Sequence, residues 1–340
     1  MIRIPLLAAT AAISALNLVP PPAQAQAQAQ AAPAQATTKA LPYLTIEDLR
    51  RTYADAQSRY AVIGGLKIHY KDDGPRNAPV LFMVHGSESS LRTWDRIALA
   101  LKGRYRIIRY DIPGYGLSDG ATDAAATSMQ PTDIPVELLT RLGVRKVTFV
   151  GVSSGGTMGM YLAARRPDLV ERLILSNTPS DPVDTSHLVM PKSFIDATER
   201  AKQTGFRDQN FWDEFLSYFA GDASRISAQT RKEYYDFYRR TPEKNLIALV
   251  ARIGDGKQAT VEMAKVRKPT FLIWGGADHL LPESAANAIA RYLKNAQISR
   301  VIMPDVGHYP PLEVPERFAQ LIAAYVEAGT PNVPAEAAVP

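Results

Sequence analysis

The 340-residue sequence contains no cysteine. This excludes a disulfide framework, and it excludes a lipid-bearing cysteine behind the N-terminal segment. Basic residues are not concentrated either. Lys+Arg total 39 against Asp+Glu 34, a formal net charge of +5, and no Lys/Arg-rich block stands out. Nucleic-acid binding wants a basic face or groove, so no nucleic-acid partner is expected. His-Glu-x-x-His, a P-loop and Gly-x-Gly-x-x-Gly are all missing, so no metal and no cofactor are implied. Long apolar runs are missing too: the stretch from Ile4 to Val19 falls short of the roughly 20 residues a membrane helix needs.

What is present at the N-terminus reads as an address. Met1-Ile2-Arg3 gives a short positive start, the Ala/Leu-rich run follows, and Ala23-Gln24-Ala25 supplies a small-x-small site. Together they predict a secretory signal peptide over 1–25 and an exported, periplasmic or secreted protein with no membrane span after cleavage. Several Ala-x-Ala sites recur between Ala23 and Ala31, so the sequence alone does not fix the cut. Residues 26–42 are Gln/Ala repeats and read as a low-complexity linker. The Ala/Pro-rich stretch 329–340 reads as a flexible tail.

Over the whole chain the composition is that of a globular protein with a sizeable core, 46% hydrophobic and 21% charged. Thr45 caps an expected helix, Ile46 to Gln57, outside the core. Gly64-Gly65 joins two strands, Tyr60–Ile63 and Leu66–Tyr70, as a hairpin. Strand and helix patterns then alternate. Expected strands are Val80–Val84, Arg106–Tyr110, Lys146–Val150, Leu173–Leu175, Thr270–Trp274 and Arg300–Met303. Expected helices include Leu91–Leu101, Glu283–Leu293 and Pro315–Val326. The alternation predicts an α/β fold with a mostly parallel sheet covered on both faces. Residues 182–266 break the pattern, with helical periodicity and many aromatics, and read as a helical cap between two core segments, 43–181 and 267–328.

The most informative stretch is Val147-Thr-Phe-Val-Gly-Val-Ser-Ser-Gly-Gly156. A buried strand runs into Gly151-x-Ser153-x-Gly155 and then into a helix, the context of a nucleophile elbow. Making Ser154 the nucleophile would require glycine at Val152, so only one register fits. A serine hydroxyl needs a base and a group to orient that base, and in this topology they follow in the order Ser, acid, His. Of the five histidines, His69 and His85 precede Ser153, and His187 sits in the cap. His279 adjoins Asp278, and neighbours in sequence seldom face one another. His308, in a loop after the last strand, is the candidate base. Asp278, just after Thr270–Trp274, is the candidate acid, with Asp181 and Asp305 as alternatives. The oxyanion needs two donors, expected from the backbone N–H groups of Ser154 and of Ser87 in His85-Gly86-Ser87, where His85 braces the loop.

Five segments resemble the α/β-hydrolase superfamily, in order and at family spacing. They are His85-Gly86, Asp111-Ile-Pro-Gly-Tyr-Gly-Leu-Ser118, Gly151 to Gly155, Gly275 to Pro282, and Gly307-His308 with Glu313-x-Pro315-Glu316. The resemblance covers roughly 60–328 and implies an eight-stranded α/β-hydrolase fold with an inserted cap. It also implies a loop beside the site built around Asp111, and a serine-nucleophile enzyme. The resemblance departs at Ala124 to Gly143, where Pro131 and Pro135 interrupt what is usually a longer helix.

The expected activity is hydrolysis of a carboxylic ester through an acyl-enzyme, on a small apolar or aromatic ester or lactone. A lactonase or C–C bond hydrolase would use the same triad. A non-catalytic ligand-binding member of the fold would call for a broken triad or a closed elbow, and the sequence has neither. The cap aromatics could roof a substrate pocket, but Phe211, Phe215 and Phe219 at i, i+4 and i+8 make a packing stripe.

Overall fold

The computed structural model describes residues 42–180, 186–252 and 256–329. The leader, the linker up to residue 41, the tail from 330 and the alternative acid Asp181 lie outside the described residues.

Eight strands form one sheet: β1 (Arg59–Ile63), β2 (Leu66–Asp73), β3 (Val80–Val84), β4 (Arg106–Tyr110), β5 (Val147–Val152), β6 (Val170–Ser176), β7 (Thr270–Gly275) and β8 (Ile298–Met303). Their spatial order is β1-β2-β4-β3-β5-β6-β7-β8. The hairpin β1–β2 and the β2–β4 pair are antiparallel, and every other pairing is parallel. The chain therefore starts at one edge, crosses to β3 in the middle, and winds outward in both directions.

Unbroken apolar strands arise because both faces of the sheet are covered. Along β3, β5 and β6 the side chains alternate: Phe82, Phe149 and Leu173 enter one core, while Leu81, Met83, Val150 and Ile174 enter the other. The first core is closed by Ile134 and Leu138 of helix Asp133–Arg141 and by Met158 and Leu162 of helix Ser154–Arg165. The second is closed by Ile97 and Leu101 of helix Asp95–Leu101 and by Phe318 and Ile322 of helix Pro315–Glu327. Each such side chain contributes about 1.5–3 kcal/mol on burial.

Two local expectations are corrected. The first helix ends at Tyr53, not Gln57, and it does not stand apart from the packed body. Its Leu49 and Tyr53 are buried against Leu117, with Phe237 alongside. Leu91–Leu101 is two elements, a 3-10 turn Leu91–Trp94 capped by the Ser90 hydroxyl and a helix from Asp95. The interruption expected around Pro131 and Pro135 is present: the stretch forms two short helices, Asp123–Ser128 and Asp133–Arg141. Pro135 falls in the first turn of the second, where its missing N–H costs nothing.

Between β6 and β7 the described residues form helices and, apart from one bridge between Leu44 and Arg240, no strand pairing. Phe211, Phe215 and Phe219 are all buried, packed on Phe194, so the stripe is internal packing. Several contacts hold this helical insertion down, among them three at its flanks and face. Leu44 N donates to Arg239 O at 2.6 Å and Thr241 N to Leu44 O at 2.8 Å. Arg92 bonds Glu233 at 2.9 Å. His308 N donates to Phe219 O at 2.7 Å.

Candidate active site

The C-terminal ends of β3, β5, β6, β7 and β8 open on one edge of the sheet, where parallel topologies gather their functional loops. Ser153 sits at the junction of β5 and helix Ser154–Arg165, with φ 53° and ψ −130°. Such backbone costs of order 1–3 kcal/mol in a non-glycine residue. It is held by Ser153 N donating to Ser176 O at 3.0 Å and Gly156 N donating to Ser153 O at 2.8 Å.

The elbow glycines are needed for room. A Cβ on Gly155 would stand 2.3 Å from the carbonyl oxygens of Val84 and His85, and one on Gly151 would stand 2.6 Å from Gly155 O. Strand and helix meet backbone to backbone there. Gly86 is equally confined, since its Cβ would lie 2.9 Å from Ser153 Cβ. The loop after β3 is thereby pressed against the elbow, and Ser87 Oγ reaches Ser154 Oγ at 3.0 Å. The two residues expected to supply the oxyanion N–H groups are thus neighbours.

His85 is fully buried. Its Nε2 accepts from Ile112 N at 3.0 Å and its Nδ1 lies 2.6 Å from Gly86 O, a bracing role as expected. Asp111 is buried as well. Leu91 N and Leu117 N donate to its two oxygens at 2.7 and 2.8 Å, and His69 Nδ1 lies 2.7 Å from the second oxygen. Burial works against its charge, yet the His69 charge and hydrogen bond and the backbone donors hold its carboxyl below the ordinary carboxylate range.

On the far side of Ser153, Asp278 Oδ2 and His308 Nδ1 are 2.7 Å apart, with both side chains at most 2% exposed. Leu280 N and Leu281 N donate to Asp278 Oδ1 at 2.8 and 3.0 Å, and Trp274 Nε1 donates to Leu281 O at 2.8 Å, closing the loop. An acceptor at Nδ1 fixes the proton on that nitrogen and leaves the lone pair on Nε2. His308 Nε2 is buried and has no hydrogen-bond partner among the described residues. Ser153 and His308 line the same void, about 10 Å³ in volume, together with Gly86, Ser87 and Tyr309.

The other candidates are placed elsewhere. Asp305 is a surface residue bonded to Arg225 and Arg317. His187 lies 2.8 Å from the carbonyl of His279, whose ring stacks on Tyr218.

Three features were not legible beforehand. Asn177, in positive-φ backbone (39°), donates to Asp278 Oδ2 at 2.7 Å and accepts from Gly275 N at 3.0 Å. Glu313 accepts from Gly307 N and from Gly221 N, both at 2.9 Å, pinning the His308 loop to the helical insertion. Finally, a cavity of about 510 Å³ lies alongside the small void and shares Ser89 and Tyr234 with it. The Tyr234 hydroxyl donates to Ser89 Oγ at 3.1 Å across that partition.

A family model for the alpha/beta hydrolase fold matches residues 79–315. The chain is 28% identical over 263 residues to a pimeloyl-[acyl-carrier protein] methyl ester esterase of Nitrosomonas europaea, covering 76% of this chain and 98% of the relative. It is 26% identical over 271 residues to a 2-hydroxy-6-oxononadienedioate/2-hydroxy-6-oxononatrienedioate hydrolase of Burkholderia vietnamiensis, covering 77% and 91%. Among solved structures, a putative aryl esterase from Burkholderia cenocepacia superimposes with a TM-score of 0.66 at 19% identity, over 80% of this chain and 98% of the other. That likeness is one of fold.

Proposed function

The chain belongs to the α/β-hydrolase fold family, and on that premise we propose that it is an exported serine hydrolase cleaving a carboxylic ester through an acyl-enzyme. The observation that carries this reading is His308. Its Nδ1 is fixed on Asp278, and its unpartnered Nε2 is buried in the void that Ser153 also lines.

Ser153 Oγ attacks the ester carbonyl while its proton passes to His308 Nε2, and Asp278 stabilises the imidazolium. The carbonyl oxygen becomes an oxyanion between the N–H groups of Ser87 and Ser154. The C–O bond to the alcohol then breaks, and His308 returns the proton to the leaving oxygen. Water, deprotonated by His308, attacks the acyl carbon, and the Ser153–acyl bond breaks as His308 returns that proton to Ser153 Oγ, releasing the acid.

Ser153→Ala is expected to abolish both p-nitrophenyl butyrate hydrolysis and fluorophosphonate labelling, with circular dichroism and Tm preserved. Retained turnover overturns the reading. Export rests on Met1–Ala25 and is tested by fractionating cells that express the full chain and reading the mature N-terminus, expected between residues 26 and 32.

The likeness to a 2-hydroxy-6-oxononadienedioate hydrolase favours one second reading, in which the same groups open a lactone or a C–C bond. Relative rates on esters, lactones and vinylogous diketones separate the two.

A further inference from the structure

Three independent features meet at Glu88. It is one of the non-glycine residues in positive-φ backbone, at 59°, a conformation that disfavours ordinary side chains. Its side chain, 17% exposed, lines the 510 Å³ cavity. Among the described residues its ionic neighbour is Arg207, with Oε1 and Nη1 3.8 Å apart, too far for a direct hydrogen bond.

Arg207 is itself held in place. Its guanidinium carbon lies 5.1 Å over the Phe211 ring, 5.8 Å over Trp212 and 5.5 Å over Tyr238, contacts that favour a fixed cation. Glu88 follows Ser87 directly in the chain, so the pair stands at the cavity end next to the reacting carbonyl. A carboxylate and a guanidinium at this spacing leave a place that a single oxygen can bridge.

Resting on the serine-hydrolase reading above, we propose that this cavity selects esters whose non-reacting part carries a hydroxyl, received between Glu88 and Arg207. A hydroxyl oxygen accepts from the guanidinium and donates to the carboxylate through one atom. A substrate carboxylate pairs with Arg207 but meets an ionised Glu88 as a like charge, and an ammonium meets Arg207 the same way. Burial pushes the Glu88 carboxyl pKa up, against the pull of Arg207, so the discrimination against a carboxylate is expected to be strongest where Glu88 is ionised.

The test is a matched set of p-nitrophenyl esters: hexanoate, 6-hydroxyhexanoate, 6-aminohexanoate and the monoester of adipate. A second set carries the same termini on the alcohol of an acetate ester, because either half of the substrate can occupy the cavity. One set is expected to favour the hydroxyl ester over the plain one by at least about tenfold in kcat/KM, the scale of a hydrogen bond to a charged group. Glu88→Leu is expected to bring that ratio close to one. Glu88→Gln, which keeps the shape, should lower it several-fold. Reading the ratio within each variant cancels any change at Ser87. Calorimetry of the Ser153→Ala protein with the same esters ranks binding without turnover. Ester hydrolysis with no hydroxyl preference in either set, or a ranking led by the charged esters, overturns this inference and leaves the serine-hydrolase reading standing. A hydroxyl preference that survives in Glu88→Leu overturns it equally. Turnover by the Ser153→Ala protein would instead fell the reading beneath it.

Discussion

Asn177 and His308 donate to the same oxygen of Asp278, each at 2.7 Å. The Asn177 amide also ties β6 to β7 through Gly275, so the Asp278 carboxylate is aimed by two strands at once. Removing a hydrogen bond to a charged acceptor costs about 1.5–3 kcal/mol. Asn177→Ala should therefore lower kcat by about 10- to 100-fold with little change in KM, as read from Michaelis curves on a p-nitrophenyl ester.

The contact between Gly86 and Ser153 makes a second prediction. With 2.9 Å available between the two Cβ positions, Gly86→Ala must push either the loop after β3 or the elbow aside. Misplacement by about 1 Å can cost around a hundredfold in rate. Stopped assays should show a loss of that order, with only a modest drop in Tm because the displaced loop borders an open edge of the fold.

Asp111 predicts a pH-dependent stability. Its carboxyl pKa is depressed in the folded protein, so its stabilisation is present above the unfolded carboxylate pKa of about 3.9. That stabilisation is lost as pH falls through the folded value. Asp111→Asn should unfold more easily at pH 7 by about 3–5 kcal/mol, the usual cost of breaking a buried ionic network. The gap from wild type should stay nearly full in denaturant titrations at pH 5 and narrow at pH 3 and below. A constant gap would mean that Asp111 acts by shape alone.

Tyr234 partitions a void that holds no more than a water from a cavity fifty times larger. Tyr234→Ala should join the two spaces. The rate on p-nitrophenyl octanoate relative to acetate is then expected to rise several-fold, since the longer chain gains most from an open passage.

The core strands and the Ser153, Asp278 and His308 positions could be read from the sequence because each leaves a local mark. The marks are an unbroken apolar run, a Gly-x-Ser-x-Gly turn, and a loop residue just past a strand. Asn177 leaves no such mark. Its role exists only because the end of β6 meets a loop 101 residues later in the chain. Glu313 was visible as part of a motif, but its backbone partner at Gly221 lies 92 residues away. Glu88 reads as an ordinary polar loop residue until the cavity beside it is seen. The misjudged first helix has the same origin, since Leu49 and Tyr53 find their partner only at Leu117.

The strap formed by residues 42–53 has a mechanical consequence. It is bonded to the helical insertion at Arg239, Thr241 and Asp236, and to the sheet side through Arg50 on Leu117 and Asp119. With the Glu233 and Phe219 tethers in place as well, swinging the insertion outward would rupture all of these bonds together. Rotating Tyr234 releases its hydroxyl from Ser89 and moves one buried ring, a smaller rearrangement than domain opening, which takes microseconds to milliseconds. Substrate entry by the tyrosine route would leave viscosity and temperature with little hold over turnover until the strap itself melts.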